Sequence, residues 1–164
     1  MKQKYGYEYF WLAIRTFTPT NKYENTRWHT DGRILDTNRK QFKLVSVPKG
    51  VSTMFVEPEQ ELRNKFLEIQ KKRNLEFNAN FSNFDEVIKK YGKKIKKLFR
   101  EEKVYQVKNN YMVEFNLGDP ITAAIHSEPD MKEPRIFFSL VFGTKEEIED
   151  KENKQKLFSK KMMK

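Results

Sequence analysis

Cysteine is absent from all 164 residues. Disulfides and thiolate metal ligands are therefore both excluded, and a reducing interior suits the chain without being demanded by it. No stretch approaches the ~20 consecutive apolar residues of a membrane helix. The opening Met1-Lys2-Gln3-Lys4-Tyr5 has no hydrophobic signal region. A soluble, cytoplasmic protein with no membrane partner is the expected setting. Histidine is almost missing too, with two copies, which excludes any site built from three imidazoles.

What is present in excess is positive charge, +10 net. A polyanion such as DNA or RNA is one partner that such a charge suits. Lysine supplies 25 of the 33 basic residues, however, and asparagine and phenylalanine are plentiful as well. An AT-rich coding bias produces that composition unaided, so basicity by itself says little about the substrate. The length suits one domain of the usual ~100–150 residues, with room for a true core.

The hydrophobic pattern changes period along the chain. Residues 5–17 are dense in Tyr, Phe, Trp, Leu and Ile and read as a strand apolar on both faces, buried in a sheet. Residues 41–47 and 51–56 read as strands around the turn Pro48-Lys49-Gly50. Pro58 then opens a helical stretch with Leu62, Phe66 and Ile69 on one face. A second helix follows, with Ser82 as its N-cap and a stripe of Phe84, Val87, Ile88, Tyr91, Ile95, Leu98 and Phe99. Its other face carries Lys89, Lys90, Lys93, Lys94, Lys96, Lys97 and Arg100, which helix amphipathicity explains as a solvated surface. Strand character returns at 104–107 and 111–115. After the turn Gly118-Asp119-Pro120, residues 121–125 lead into His126. The run Arg135-Ile136-Phe137-Phe138-Ser139-Leu140-Val141-Phe142, bounded by Pro134 and Gly143, is a strand expected to lie antiparallel beside the one bearing His126. Thr144-Lys145-Glu146-Glu147 offers a capping box for a charged C-terminal helix or tail over 144–164.

The two histidines stand in an ordered setting. His29 and Asp31 are one residue apart in Trp28-His29-Thr30-Asp31-Gly32, so on an extended segment both side chains project from one face. With His126 they make two imidazoles and one carboxylate, the facial set that leaves open positions on non-haem Fe(II). His-x-Asp alone is a weak pattern; its weight comes from both histidines being used and from Arg135 nine residues beyond His126 on a strand.

This arrangement resembles the Fe(II)/2-oxoglutarate-dependent dioxygenase superfamily, with prolyl-hydroxylase-like spacing. The resemblance implies a mainly β (α+β) double-stranded β-helix, or jelly roll, over residues 1–143 with a helical insertion at about 58–103. It implies Fe(II) on His29, Asp31 and His126 and 2-oxoglutarate as co-substrate, its distal carboxylate on Arg135, with Ser139 and Lys43 or Ser46 in the same pocket. The implied reaction consumes O2, releases succinate and CO2, and hydroxylates the substrate, since the ligand carboxylate Asp31 is present. The second arginine of the nucleic-acid demethylases is missing: Phe137 and Gly143 stand at the offsets of that pattern. The nine-residue step and Ser139 four residues after Arg135, features of the prolyl-hydroxylase-like branch, slightly favour a protein or amino-acyl substrate. Two rivals stand beside this expectation. One is a non-catalytic basic jelly-roll module that binds nucleic acid through residues 89–100, with steep salt dependence and no need of iron. The other is a cupin-like enzyme without 2-oxoglutarate, ranked last because such sites usually take three histidines.

Overall fold

Alternation over residues 135–143 builds the centre of the fold. In the computed structural model, which describes residues 6–19, 27–79, 84–127 and 132–162, this run is strand β7 (Arg135–Gly143). Arg135, Phe137, Ser139, Val141 and Gly143 are buried on one face, and the residues between them are half-buried on the other. The remaining strands are β1 (Tyr9–Phe17), β2 (Gln41–Lys49), β3 (Met54–Val56), β4 (Val104–Gln106), β5 (Met112–Leu117) and β6 (Ile125–Ser127). The helices are α1 (Gln60–Ala79), α2 (Phe84–Leu98) and α3 (Lys145–Met162). The described residues thus form an α+β protein of seven strands and three helices. The strands make two antiparallel sheets, in the orders β1-β7-β2-β5 and β4-β3-β6, with no closed barrel.

The two sheets face each other across Phe55, which packs on Phe115 of the larger sheet at 5.5 Å between ring centres. Leu35, Val45, Val47, Phe115, Leu117, Phe137 and Val141 form the core on that side. On the other side of the small sheet, Val56 and Ile125 join Trp28, Phe66, Ile95 and Phe99, so α1 and α2 cover its outer face. Strand alternation explains the division: Val56 and Ile125 are register partners facing the helices, while their neighbours Phe55 and His126 face the larger sheet. The expected stripe of α2 is confirmed at Val87, Tyr91, Ile95 and Phe99, which are buried, while Lys89, Lys93, Lys94, Lys96 and Lys97 are exposed. Ser82, the expected cap, lies outside the described residues.

Two expectations about placement are corrected. β1 is not buried: it is the edge of the larger sheet, and Tyr9, Phe10, Leu12 and Ile14 are exposed, Ile14 at 60%. A strand apolar on both faces fits an edge as well as a centre when nothing in its own sequence names its neighbours. Nor does β7 lie beside β6. The strand of His126 pairs with β3 in the small sheet, while β7 pairs with β1 and β2 in the larger one. The capping box at the start of α3 is present: Glu147 Oε2 accepts the Thr144 amide at 2.9 Å, and the Glu147 amide donates to Thr144 Oγ1 at 3.4 Å.

Gly50, just after β2, has φ +85°, and a Cβ there would sit 2.7 Å from the Pro134 carbonyl oxygen and 2.9 Å from Arg135 Cα. Only glycine lets this turn approach the start of β7 so closely. Among the described residues, no helix is long and apolar enough to cross a membrane.

Candidate metal centre

His29 and His126 are held side by side by the backbone. The His29 amide donates to the His126 carbonyl and the His126 amide to the His29 carbonyl, each at 2.9 Å, as a reciprocal antiparallel bridge. Such a pair presents both side chains on one face, and the two imidazoles stand 4.3 Å apart between centres. Asp31 is two residues beyond His29 on the same side, and its own carbonyl accepts the Gly118 amide at 3.0 Å, which ties it to the end of β5. The three ligand atoms lie within 4.8 Å of one another.

Hydrogen bonds set the orientation of both rings. His29 Nδ1 donates to the Arg27 carbonyl at 2.8 Å, and His126 Nδ1 to the Ala124 carbonyl at 3.1 Å. With each proton fixed on Nδ1, Nε2 carries the lone pair. The Nε2 atoms stand 3.6 Å from the two oxygens of Asp31, His29 facing Oδ1 and His126 facing Oδ2. Atoms at the usual ~2.1 Å from a shared divalent ion stand about 3 Å apart at right angles, so the three groups are within reach of one ion and would draw together on binding it.

The electrostatics suit the same use. Burial, reinforced by the neighbouring His29, pushes His126 down from 6.5 to about 4, so the ring is neutral and able to ligate at neutral pH. Burial by itself would raise the Asp31 carboxyl, but His126, Lys43 and His29 together hold it below its ordinary value. Asp31 is therefore ionised and ready to take a cation.

The other expected site residues fall on the space between the sheets. Lys43, on the inner row of β2, places Nζ 2.6 Å from Asp31 Oδ2 and 5.7 Å from the centre of the Phe137 ring. Arg135 stands over the same ring at 5.1 Å. It is 2% exposed, and it donates through Nε to the Val51 carbonyl at 2.9 Å and through Nη2 to Thr53 Oγ1 at 2.8 Å. Ser139 is buried on the same face of β7, opposite Val45 of β2. Ser46 is the exception: one residue out of phase with Lys43 and Val45, it points to the outer face of the sheet and drops out of the site.

Three contributors were not foreseen. Gln70 of α1 accepts the Thr30 amide through Oε1 at 3.1 Å and donates through Nε2 to Thr30 Oγ1 at 2.9 Å, fastening the residue between His29 and Asp31. Arg73, one turn on, donates to the Trp28 carbonyl at 3.2 Å. Thr53 is the hydroxyl that receives Arg135. The helix residues lie forty or more positions from the segment they hold, so no local pattern announces them.

No family model matches the chain, and no curated protein matches it. Among solved structures it is similar to a YbjQ-like protein of unknown function from Sulfolobus solfataricus P2, at 7% identity and a TM-score of 0.30, over 82% of this chain and 98% of that one. So weak a likeness carries no argument about fold or activity. Membership of the Fe(II)/2-oxoglutarate-dependent dioxygenase superfamily, which the His29, Asp31, His126 and Arg135 spacing implied, is accordingly corrected: no family model and no curated protein connects the chain to it.

Proposed function

We propose that His29, Asp31 and His126 hold one divalent iron, and that the protein is an oxygenase using 2-oxoglutarate to hydroxylate an organic substrate. Kinship plays no part in this; the observation that carries it is the gathering of two Nδ1-protonated imidazoles and an ionised carboxylate, with ligand atoms within 4.8 Å of one another. Bound iron would supply the oxidising chemistry, with O2 and the oxo acid. The chain's own residues do the positioning. Gln70 and Gly118 hold the segment that carries the first two ligands. Arg135, fixed by Val51 and Thr53, receives the distal carboxylate of the co-substrate across Phe137, where a planar guanidinium suits a carboxylate. Lys43 stays at the metal end, balancing Asp31.

The strand layout supports the finer reading of the fold. With the His29 bridge added to the small sheet, the chain passes between the two layers in the order large, small, large, small, small, large, small, large. That alternation belongs to a jelly roll. The test is turnover without substrate: Fe(II), 2-oxoglutarate and O2 should give slow succinate formation that is lost in His126→Ala. Absence of iron binding by the native chain refutes the proposal. Salt-steep, iron-independent binding of oligonucleotides at the exposed lysines of α2 would favour a nucleic-acid module instead.

A further inference from the structure

The larger sheet is apolar on both faces, and each such face needs a layer to pack against. Its inner face meets the small sheet, and α3 borders it on the same side, where Ile148 packs on the core and Lys151 Nζ lies 5.9 Å from the centre of the Trp11 ring. The outer face carries apolar rows that run across the strands. Leu12, Leu140 and Leu44 are successive register partners on β1, β7 and β2, and Phe10, Phe142 and Phe42 form the next row, their ring centres 6.4 and 5.7 Å apart. Ile14 pairs with Phe138 in a third. In the folded chain Phe10, Leu12 and Ile14 keep 53%, 47% and 60% of their surface exposed, and Met112 on β5 keeps 52%. With strands ~4.8 Å apart and ~3.3 Å per residue, the face measures roughly 19 by 30 Å, about 570 Å², at the upper end of the ~300–600 Å² of a monomer's largest apolar patch.

Charge says which occupant the face suits. Its positions are every second residue from Phe10 to Thr16, Phe42 to Ser46, Met112 to Asn116 and Ile136 to Phe142, and none is Lys or Arg in a chain where 33 of 164 residues are. A face made for nucleic acid or anionic lipid would be basic. Copies of a chain of net charge +10 repel one another, and a face without lysine or arginine is where two of them can meet. We propose that the outer face of the larger sheet is a dimer interface, occupied by the same face of a second copy of this chain. A two-fold axis between the copies sets the face on itself, and the leucine and phenylalanine rows interdigitate as in a sandwich of sheets ~10 Å apart. Burying about 570 Å² on each copy removes about 1,100 Å², close to the ~1,200 Å² at which stable interfaces begin. His29, Asp31 and His126 lie on the inner side of the sheet, so the dimer is independent of the oxygenase reading.

The experiment is sedimentation equilibrium of the full chain from about 1 μM to about 1 mM. A species of twice the 19.8 kDa chain mass should dominate by about 100 μM. Raising the salt from about 0.05 to about 0.5 M should tighten the dimer, because it screens the repulsion between two basic copies. Leu12→Lys and Ile14→Lys should each weaken association at least about a hundredfold, since the new charge is buried in both copies at once. Both positions are exposed in the single chain, so the variants should melt at the temperature of dilute, dissociated wild type. Lys93→Glu, on the exposed face of α2, should not weaken the dimer. A 19.8 kDa species at every concentration overturns the proposal, as does a dimer that both lysine substitutions leave intact or that Lys93→Glu weakens as much as they do. A monomer that binds phosphatidylcholine vesicles through Leu12 and Ile14 assigns the face to a lipid surface and overturns it as well.

Discussion

Replacing Lys43 by methionine should move two measured quantities in opposite directions. Lys43 Nζ lies 2.6 Å from Asp31 Oδ2, and the side chains are only 11% and 21% exposed. Methionine preserves most of the volume and removes the charge. Losing one partner of a fully buried ion pair costs about 3–5 kcal/mol. Asp31 keeps some solvent, so a loss of about 2 kcal/mol in the stability of the metal-free protein is expected, read from urea unfolding at pH 7.5. Metal affinity should rise. In the native chain a dication taken by this carboxylate meets the ammonium within a few ångströms, and at ~5 Å their repulsion is about 1.7 kcal/mol even at the dielectric of water. The metal-free carboxylate of the variant also has no rival cation to surrender. A gain of about tenfold or more in Fe(II) affinity follows, measured by anaerobic competition with a chelator. If Lys43→Met weakens metal binding while the protein stays folded, Lys43 serves to hold Asp31 for the ion and the reasoning is wrong. An unchanged metal-free stability would show that the pair contributes nothing.

His126 gives the metal-free protein a pH dependence. Its folded value of about 4 lies below the ordinary 6.5, so stability present in full above 6.5 declines as pH falls towards 4, because the unfolded chain takes up a proton that the folded ring refuses; the loss is up to about 3 kcal/mol and is checked by unfolding at pH 7.5 and 4.5. Arg135→Lys keeps the charge but cannot reproduce the fork onto Val51 and Thr53; it should weaken 2-oxoglutarate binding about tenfold with Fe(II) affinity unchanged, as titration of each ligand will show. Gly50→Ala sets a methyl 2.7 Å from the Pro134 carbonyl at φ +85° and should cost about 2 kcal/mol or more, visible in a thermal melt.

The sequence by itself determined whatever is set within a few residues. His29 and Asp31 share a face because an extended chain has a period of two, and the β-branched and aromatic run after Pro134 forms strand β7. The Thr144 capping box and the buried stripe of α2 are likewise local. Only the tertiary structure decided which elements meet. That β1 lies at an edge, that β6 joins β3 and not β7, that Lys43 lies against Asp31, and that Gln70 and Arg73 reach the ligand segment all depend on contacts between distant parts of the chain. Periodicity states which face of an element is apolar, and it is silent on which other apolar face will cover it. That choice is made by the packing of the whole, where burial and hydrogen bonding are satisfied together.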